Sequence, residues 1–432
     1  VAVQPSDSSD LPDSSDLPDS SDLPDSPDLP DSPDLPDSPD PSHPPDRSDP
    51  SDLLDLDSLL SPDELSLRSR VRAFVESEIK PNIADWFDRA YFPVELVPQL
   101  GSLGLLGMQL TGYGCAARSA VDYGLAALEL EAGDSGIRTF VSVQGSLAMT
   151  AISRNGSEEQ KQQWLPGMAA GTIIGSFGLT EPTAGSDPSS MKTFAHRDGT
   201  DWILNGSKRW IGLASIAHIT VIWAATDEGV RGFIVPTDSP GFTATPIAHK
   251  LSMRASIQCD IDLVDVRLPA EAMLPGATSL RAPFECLGEA RYGIIWGSMG
   301  AARDSYLAAL DYAKGRTQFG RPIAGFQLTQ EKLTKMALEL SKGMLLALHL
   351  GRLKDRGTIQ PHQVSLGKLN NARSAIAICR EARTIFGGNG VTLDYSPLRH
   401  ANNLESVRTY EGTDEVHTLV LGQHITGISA FS

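Results

Sequence analysis

The spacing of apolar residues changes twice along this chain, and no other feature restricts its possible folds as much. From Ser61 to about Ala170 they recur at helical spacing. From Ile173 to Pro269 they alternate or run together as in strands. From Phe284 onward the helical spacing returns. A helical part, a β part and a second helical part in that order exclude a chain of βαβ units, in which strands and helices would alternate.

Local signals sharpen each part. Ser61-Pro62-Asp63-Glu64 is a capping box with proline at the first helical position, followed by Leu67, Val71, Phe74, Val75 and Ile79 on one face, and Pro81 closes that helix. Helical runs over residues 94–103, 120–132 and 145–153 follow. Ser157-Glu158-Glu159-Gln160 opens another helix, which ends near Ala170. These predict an N-terminal all-α domain over residues 58–172. In the next part, 173–283, Asn205-Gly206 between apolar flanks predicts a hairpin. Residues 219–223 and 232–235 read as buried strands and 259–264 as an alternating one, giving a middle β-domain of sandwich or barrel type. Segments 288–314, 328–356, 361–386 and 413–428 predict a C-terminal four-helix bundle over residues 284–432.

Charge excludes some partners. The chain carries −18, but its first 57 residues hold 17 Asp, no Glu and one basic residue, Arg47; they account for −16 and leave −2 for the rest. A nearly neutral remainder offers no basic field for nucleic acid. From Asp7 to Asp40 every third residue is Asp, within Asp-Ser-Ser-Asp-Leu-Pro and Asp-Ser-Pro-Asp-Leu-Pro units. In a polyproline II conformation, with three residues per turn, these would share one face and repel. Residues 1–57 therefore read as a disordered acidic tail. No apolar run reaches the roughly 18 residues of a membrane span. No signal or transit peptide is recognisable, so a cytoplasmic, bacterial setting is expected. Cys115, Cys259, Cys286 and Cys379 are scattered, with no metal-ligand spacing, and no metal is expected.

Four segments are dense in special residues. Arg408-Thr409-Tyr410-Glu411-Gly412-Thr413 places a carboxylate beside an aromatic and ahead of a helix that Thr413 can cap. Held among apolar groups, Glu411 would act as a base near neutral pH; the simpler role is a helix-start carboxylate. Residues 177–187 join an apolar run to a turn rich in small and hydroxyl residues, which offers donors to a polar ring or an anion. Arg316-Thr317-Gln318-Phe319-Gly320-Arg321-Pro322 could grip a pyrophosphate, and Gly387-Gly388-Asn389-Gly390 lets a backbone approach a ligand. Either could equally be an interhelical loop. Gly112-Tyr113-Gly114-Cys115-Ala116-Ala117 imitates a dinucleotide fingerprint, but no strand precedes it and it reads as a loop.

Together these segments resemble the acyl-CoA dehydrogenase family of flavoenzymes from about Ser58 to the C-terminus, most nearly its glutaryl-CoA-oxidising members. The resemblance implies an acyl-CoA dehydrogenase-like fold and an acyl-CoA substrate. It implies FAD as cofactor, an electron-transfer flavoprotein as partner and a homotetramer. It makes Glu411 the base that takes the α-proton, with its own backbone N–H in the oxyanion site. FAD would be held by Phe177, Leu179, Thr180, Gly185, Ser186, Trp210, Ile211, Gly212, Thr413 and Phe431. A neighbouring subunit would add Arg316, Gln327, Thr384, Ile385, Phe386, Gly387 and Gly388. Thioester and CoA contacts would fall on Ser186, Phe284, Leu287, Arg291 and Gly412. Arg138, beside the hydroxyl of Thr139, would bind the distal carboxylate of glutaryl-CoA; its simpler role is an ion pair with Asp134 one turn earlier. Glu131 and Tyr410 match the decarboxylating members, so crotonyl-CoA and CO2 are the expected products. The alternative is a short-chain acyl-CoA dehydrogenase or oxidase acting on monocarboxylic chains, toward which Gly212 points, since the family usually has threonine there.

Overall fold

The structure is a computed structural model that describes residues 49–430. The Asp repeat at positions 7–40 and Phe431 lie outside the described residues. Between residues 49 and 57 the expectation of a free tail fails. Leu56 is buried in a 3-10 turn, Leu56–Leu59, and Asp57 takes both guanidinium prongs of Arg68. The physical reason is local composition: leucines at 53, 54, 56, 59 and 60 replace the Asp-Pro repeat and give this stretch apolar surface to bury.

Helix α1, Pro62–Phe74, begins with the expected reciprocal cap: Glu64 N donates to Ser61 Oγ and Ser61 N to Glu64 Oε2. It runs on through a π-helical turn, Val75–Ile79. The same Glu64 accepts from Arg352 at 2.5 and 2.8 Å, which ties this helix to the C-terminal part. Short helices α2, Ile83–Asp88, and α3, Val97–Ser102, precede a loop in which Gly112, Tyr113 and Gly114 all have positive φ. Helices α4, Ala120–Gly133, and α5, Ser135–Val141, follow, then a π-helical segment, Ser142–Met149. Helices α6, Thr150–Asn155, and α7, Glu158–Ala170, complete this part. Every residue of α4 is buried, so it is the central helix, apolar nearly all round.

All strands of the large sheet fall between Gly175 and Leu268. They are β1 Gly175–Gly178, β2 Phe194–Asp198, β3 Asp201–Gly212, β4 Ile219–Thr226, β5 Gly229–Pro236, β6 Phe242–Pro246 and β7 Gln258–Leu268. The order is β1-β4-β2-β3-β7-β6, with β5 on β4. Trp202, Leu204, Phe233, Val235, Cys259 and Ile261 help form a core of the sheet's own. Asn205-Gly206 does not turn the chain. Strand β3 passes straight through it, and its register against β7 shifts between Leu204 and Gly206. Gly206 has φ 146°, and a Cβ there would lie 2.6 Å from Thr193 Cα, so this glycine serves a bulge and a close approach. The hairpin falls instead at Gly199, φ 64°, between the paired Asp198 and Asp201.

The C-terminal part contains α8, Arg281–Gly315, a small hairpin of β8, Thr317–Gln318, and β9, Arg321–Pro322, then α9, Gln327–Asp355, and α10, Pro361–Ile385. The four expected bundle helices are joined by a fifth, α11, Ser396–Thr409, which leads directly into Glu411; α12, Asp414–Thr426, follows it. The periodicity did not reveal α11 because its inward face is largely polar: Arg399, His400 and Asn403 are buried beside Leu404 and Val407. Among the described residues no helix is long and apolar enough to cross a membrane.

Candidate active site

Glu411 occupies the tight link between α11 and α12. Its φ of 58° and that of Gly412, 95°, are both left-handed. Such a conformation costs a non-glycine residue free energy and persists only where the surroundings enforce it. Here Arg291 Nε of α8 donates to the Glu411 carbonyl at 2.7 Å. Lys368 Nζ of α10, fully buried, donates to the carbonyls of Arg408, Tyr410 and Gly412 at 3.2, 3.0 and 2.5 Å. Thr413 caps α12 by accepting from Val416 N, and Asp414 is gripped by Arg408 and Arg373. The link is thus tied to α8, α10 and its two flanking helices.

Glu411 Oε2 is sealed from solvent and has no hydrogen-bond partner among the described residues. Burial pushes its carboxyl up to about 7, against the pull of Arg291, Lys368 and Arg138. Burial also brings Lys368 down to about 8. His417, whose ring lies against Gly412, is lowered to about 4 by burial and by the neighbouring Lys368 and Arg291 charges, so it is neutral. A carboxylate in this setting is a base poised near neutrality.

One residue before Glu411, the Tyr410 hydroxyl accepts from Arg138 at 2.7 Å and lies 3.1 Å from Thr139 Oγ1. Arg138 Nε donates to Glu131 at 2.5 Å, and Ser135 Oγ donates to the other oxygen of that carboxylate at 2.8 Å. Arg138 is 2 % exposed and Glu131 0 %. Burial opposes the guanidinium charge, but the Glu131 carboxylate and the Tyr410 oxygen hold it protonated above its ordinary range. The simpler pairing with Asp134 is not made. Asp134 instead caps α5 at Gly136 N and is held by Arg399 and Asn403 of α11, which locks α5 to the helix that carries Tyr410. Gly297 on α8 leaves the space: a Cβ there would lie 2.0 Å from Glu131 Oε2. Among the described residues Arg138 Nη1 makes no hydrogen bond, which leaves it for an anion.

The residues expected to hold a flavin sit on β1, the turn after it and the end of β3. Phe177 and Leu179 are buried, Phe177 packing on Trp223. Thr180 O accepts from Arg209 N, and Leu179 O from Lys208 Nζ, so the turn and β3 are stitched together. Gly185 and Ser186 are exposed, and nothing lies within 4 Å of a Cβ built on Gly185. Trp210, φ 63°, stands in an irregularity of β3 with its side chain 52 % exposed, while Ile211 is buried. A Cβ on Gly212 would sit 3.3 Å from Val143 Cγ2 of the π-helical segment. An exposed indole, apolar neighbours and an open glycine turn fit a planar aromatic cofactor. On α8, Phe284 is 44 % exposed and Leu287 lies one turn before Arg291.

A second set is not brought to this place. Arg316 caps the far end of α8, some 37 Å along the helix from Arg291 at 1.5 Å per residue. Gln327 opens α9. Thr384, bonded to Lys332, and Ile385 close α10. Gly387 and Gly388 follow in a 3-10 turn, and Phe386 is buried against Tyr312 and Tyr395. These residues cannot meet Glu411 within one chain.

Two further groups were not named as site residues from the sequence. Glu181, buried, accepts from Lys192 N, Thr193 N and Lys208 Nζ, and thereby shapes the turn of residues 180–187. Lys368 stands on the buried face of α10 with Ser365, Asn371 and Ala372, and a lysine in that register is the one hint the sequence carried. A cavity of about 290 Å³ lined by Tyr123, Ser146, Arg154 and Glu289 belongs to neither group. Its lining residue Glu289 lies on the same stripe of α8 as Gly293, which packs on Tyr123, and Gly297, which faces Glu131 and Arg138.

Family models for the acyl-CoA dehydrogenase N-terminal, middle and C-terminal domains match residues 61–172, 176–266 and 280–426. The mitochondrial short-chain specific acyl-CoA dehydrogenase of Bos taurus is 34% identical over 370 residues, covering 83% of this chain and 89% of its own. A glutaryl-CoA dehydrogenase structure from Mycobacterium smegmatis is 61% identical with a TM-score of 0.87, covering 89% of this chain and 99% of its own. A second from that organism, in complex with FADH2, is 58% identical with a TM-score of 0.88 and the same coverage.

Proposed function

The chain belongs to the acyl-CoA dehydrogenase family of enzymes, and from that premise we propose that it oxidises and decarboxylates glutaryl-CoA to crotonyl-CoA and CO2. The observation that carries the choice of substrate is the buried Arg138, paired on Nε and Nη2 but not on Nη1, hydrogen-bonded to the residue next to the base. A distal carboxylate a few bonds from the α-carbon would complete that guanidinium. A monocarboxylic chain would leave Nη1 without a partner.

Glu411 takes the α-proton. Its backbone N–H receives the charge that develops on the thioester oxygen. Phe284, Leu287, Arg291, Ser186 and Gly412 place the thioester and CoA. FAD would be held by Phe177, Leu179, Thr180, Gly185, Ser186, Trp210, Ile211, Gly212 and Thr413, and when bound it supplies the acceptor for the β-hydride. Departure of the distal carboxyl as CO2 leaves an electron pair delocalised to the same thioester oxygen, and Glu411 carries the proton that quenches it. Arg138, Thr139, Glu131 and Tyr410 orient the carboxylate throughout. Arg316, Gln327 and residues 384–388 would serve the flavin of a neighbouring subunit, which requires at least a dimer and suits a homotetramer. The electrons would pass to an electron-transfer flavoprotein.

A monocarboxylic short-chain reading has two observations in its favour: Gly212, where the family usually has threonine, and the 34% identity to a short-chain specific acyl-CoA dehydrogenase. The test is anaerobic bleaching of the purified flavoprotein by glutaryl-CoA and by butyryl-CoA, with CO2 measured. Glutaryl-CoA should bleach and release CO2. Bleaching by butyryl-CoA alone would refute the role of Arg138, and bleaching by neither would refute catalysis.

A further inference from the structure

Three consecutive peptide units flank and include Glu411, and two cations, the buried Lys368 and the half-buried Arg291, hold all three carbonyls. Lys368 Nζ takes Tyr410 O at 3.0 Å and Gly412 O at 2.5 Å, and Arg291 Nε takes Glu411 O at 2.7 Å. The first of these bonds has a geometric consequence. Tyr410 O and Glu411 N–H belong to one planar trans peptide, so they point in opposite directions. Anchoring the oxygen on Lys368 therefore sets the direction of the Glu411 N–H.

We propose that Lys368 is the positioning residue of the oxyanion site: by holding the carbonyls of Tyr410 and Gly412 it aims the Glu411 N–H at the thioester oxygen and keeps the left-handed link from relaxing. This rests on the proposed acyl-CoA chemistry and names the part that makes the α-proton acidic enough for Glu411 to remove. Nothing in the link's own sequence enforces that geometry, because Glu411 at φ 58° is not in a conformation an unconstrained glutamate prefers. A buried ammonium suits this role, since it presents three donors and meets three carbonyls, the third being Arg408 O. No carboxylate hydrogen-bonds to it among the described residues. The charged and titratable groups around it are Asp414, Glu411, Arg291 and Arg138, with neutral His417 on α12. Its charge is carried by the carbonyl dipoles at the C-terminal end of α11, where a cation is favoured.

The test separates proton removal from hydride transfer. With pre-reduced flavin under anaerobic conditions, exchange of the substrate α-hydrogen with D2O is followed by mass spectrometry for glutaryl-CoA and butyryl-CoA. Lys368→Met and Lys368→Arg are compared with wild type, and flavin content and melting report folding. Lys368→Met should slow exchange and kcat together by about 10²–10³-fold, the effect of losing one oxyanion donor, while KM moves by less than about threefold. Lys368→Arg, which keeps the charge, should recover part of the loss. A folded, flavin-loaded Lys368→Met variant that exchanges at the wild-type rate would overturn the proposal. If neither variant holds flavin, the wild-type profile decides: exchange should decline above about pH 8 as the ammonium loses its proton, and a rate that stays flat to pH 10 would overturn it. Absence of exchange in the wild type with either thioester would instead refute the acyl-CoA reading itself.

Discussion

Arg138→Gln is the perturbation with the largest readable consequence. Arg138 is 2 % exposed and is bonded to Glu131, itself fully buried. The substitution therefore does two things. It strands the Glu131 carboxylate, which costs about 3–5 kcal/mol of stability for an uncompensated buried charge. It also removes the cation proposed for the distal carboxylate, and losing a buried charge pair costs about 2–5 kcal/mol of binding. At 1.4 kcal/mol per factor of ten, that second loss lowers kcat/KM for glutaryl-CoA by roughly 30-fold to several thousandfold. The double variant Glu131→Gln/Arg138→Gln separates the two effects, because it removes both charges and should recover most of the stability. The assay is the kcat/KM ratio of glutaryl-CoA to butyryl-CoA in wild type, single and double variants, beside their melting temperatures. The ratio should collapse in both variants while the melting temperature recovers in the double one. A folded double variant that keeps the wild-type ratio would show that Arg138 does not read the carboxylate.

Glu411→Gln should bind acyl-CoA yet lose bleaching by at least about 10²-fold, the usual contribution of a general base. Its stability should also change with pH. The folded carboxyl is raised from 4.5 to about 7, so the folded state binds the extra proton and wild-type stability falls as pH rises between those values. The glutamine variant should be the more stable at pH 8, by up to about 3 kcal/mol, with the difference vanishing near pH 4.5 in thermal melts; a difference that grows on acidification would contradict the burial that raises this carboxyl. Gly297→Ala would press a methyl to 2.0 Å from Glu131 Oε2. It should cost about 1–3 kcal/mol and depress glutaryl-CoA turnover more than butyryl-CoA turnover. Gly212→Thr adds bulk against Val143 and a hydroxyl where the family usually has one. Peroxide release in air should slow while anaerobic bleaching persists, and faster peroxide release would contradict a shielding role for that position.

Much of the fold was legible because periodicity reports which face of an element is buried. The capping box at Ser61, the central α4 and the alternation of β7 were all readable in that way. The misreadings have separate physical causes. Asn205-Gly206 suits a hairpin, but Gly206 is used for its close approach to Thr193. Helix α11 was hidden because Arg399 and Asn403 face inward to serve Asp134. Leucines at 53–60 gave the end of the acidic tail something to bury. At the site, Glu411, Arg138 and Tyr410 could be named from motifs, since each chemistry needs a particular side chain. Lys368 could not, since it holds backbone carbonyls that no sequence pattern marks.

Residue identity alone decided that a carboxylate, a guanidinium and a phenol would be available, and that helices would flank a sheet. Their meeting is a tertiary matter. Arg138 and Tyr410 stand 272 positions apart and join only because Asp134 of the α4–α5 corner binds Arg399 and Asn403 of α11. The basicity of Glu411 is likewise absent from its local sequence. It arises from the walls that exclude water and from the cations of α5, α8 and α10 that moderate the burial, because a pKa is set by surroundings in space and not by neighbours in the chain.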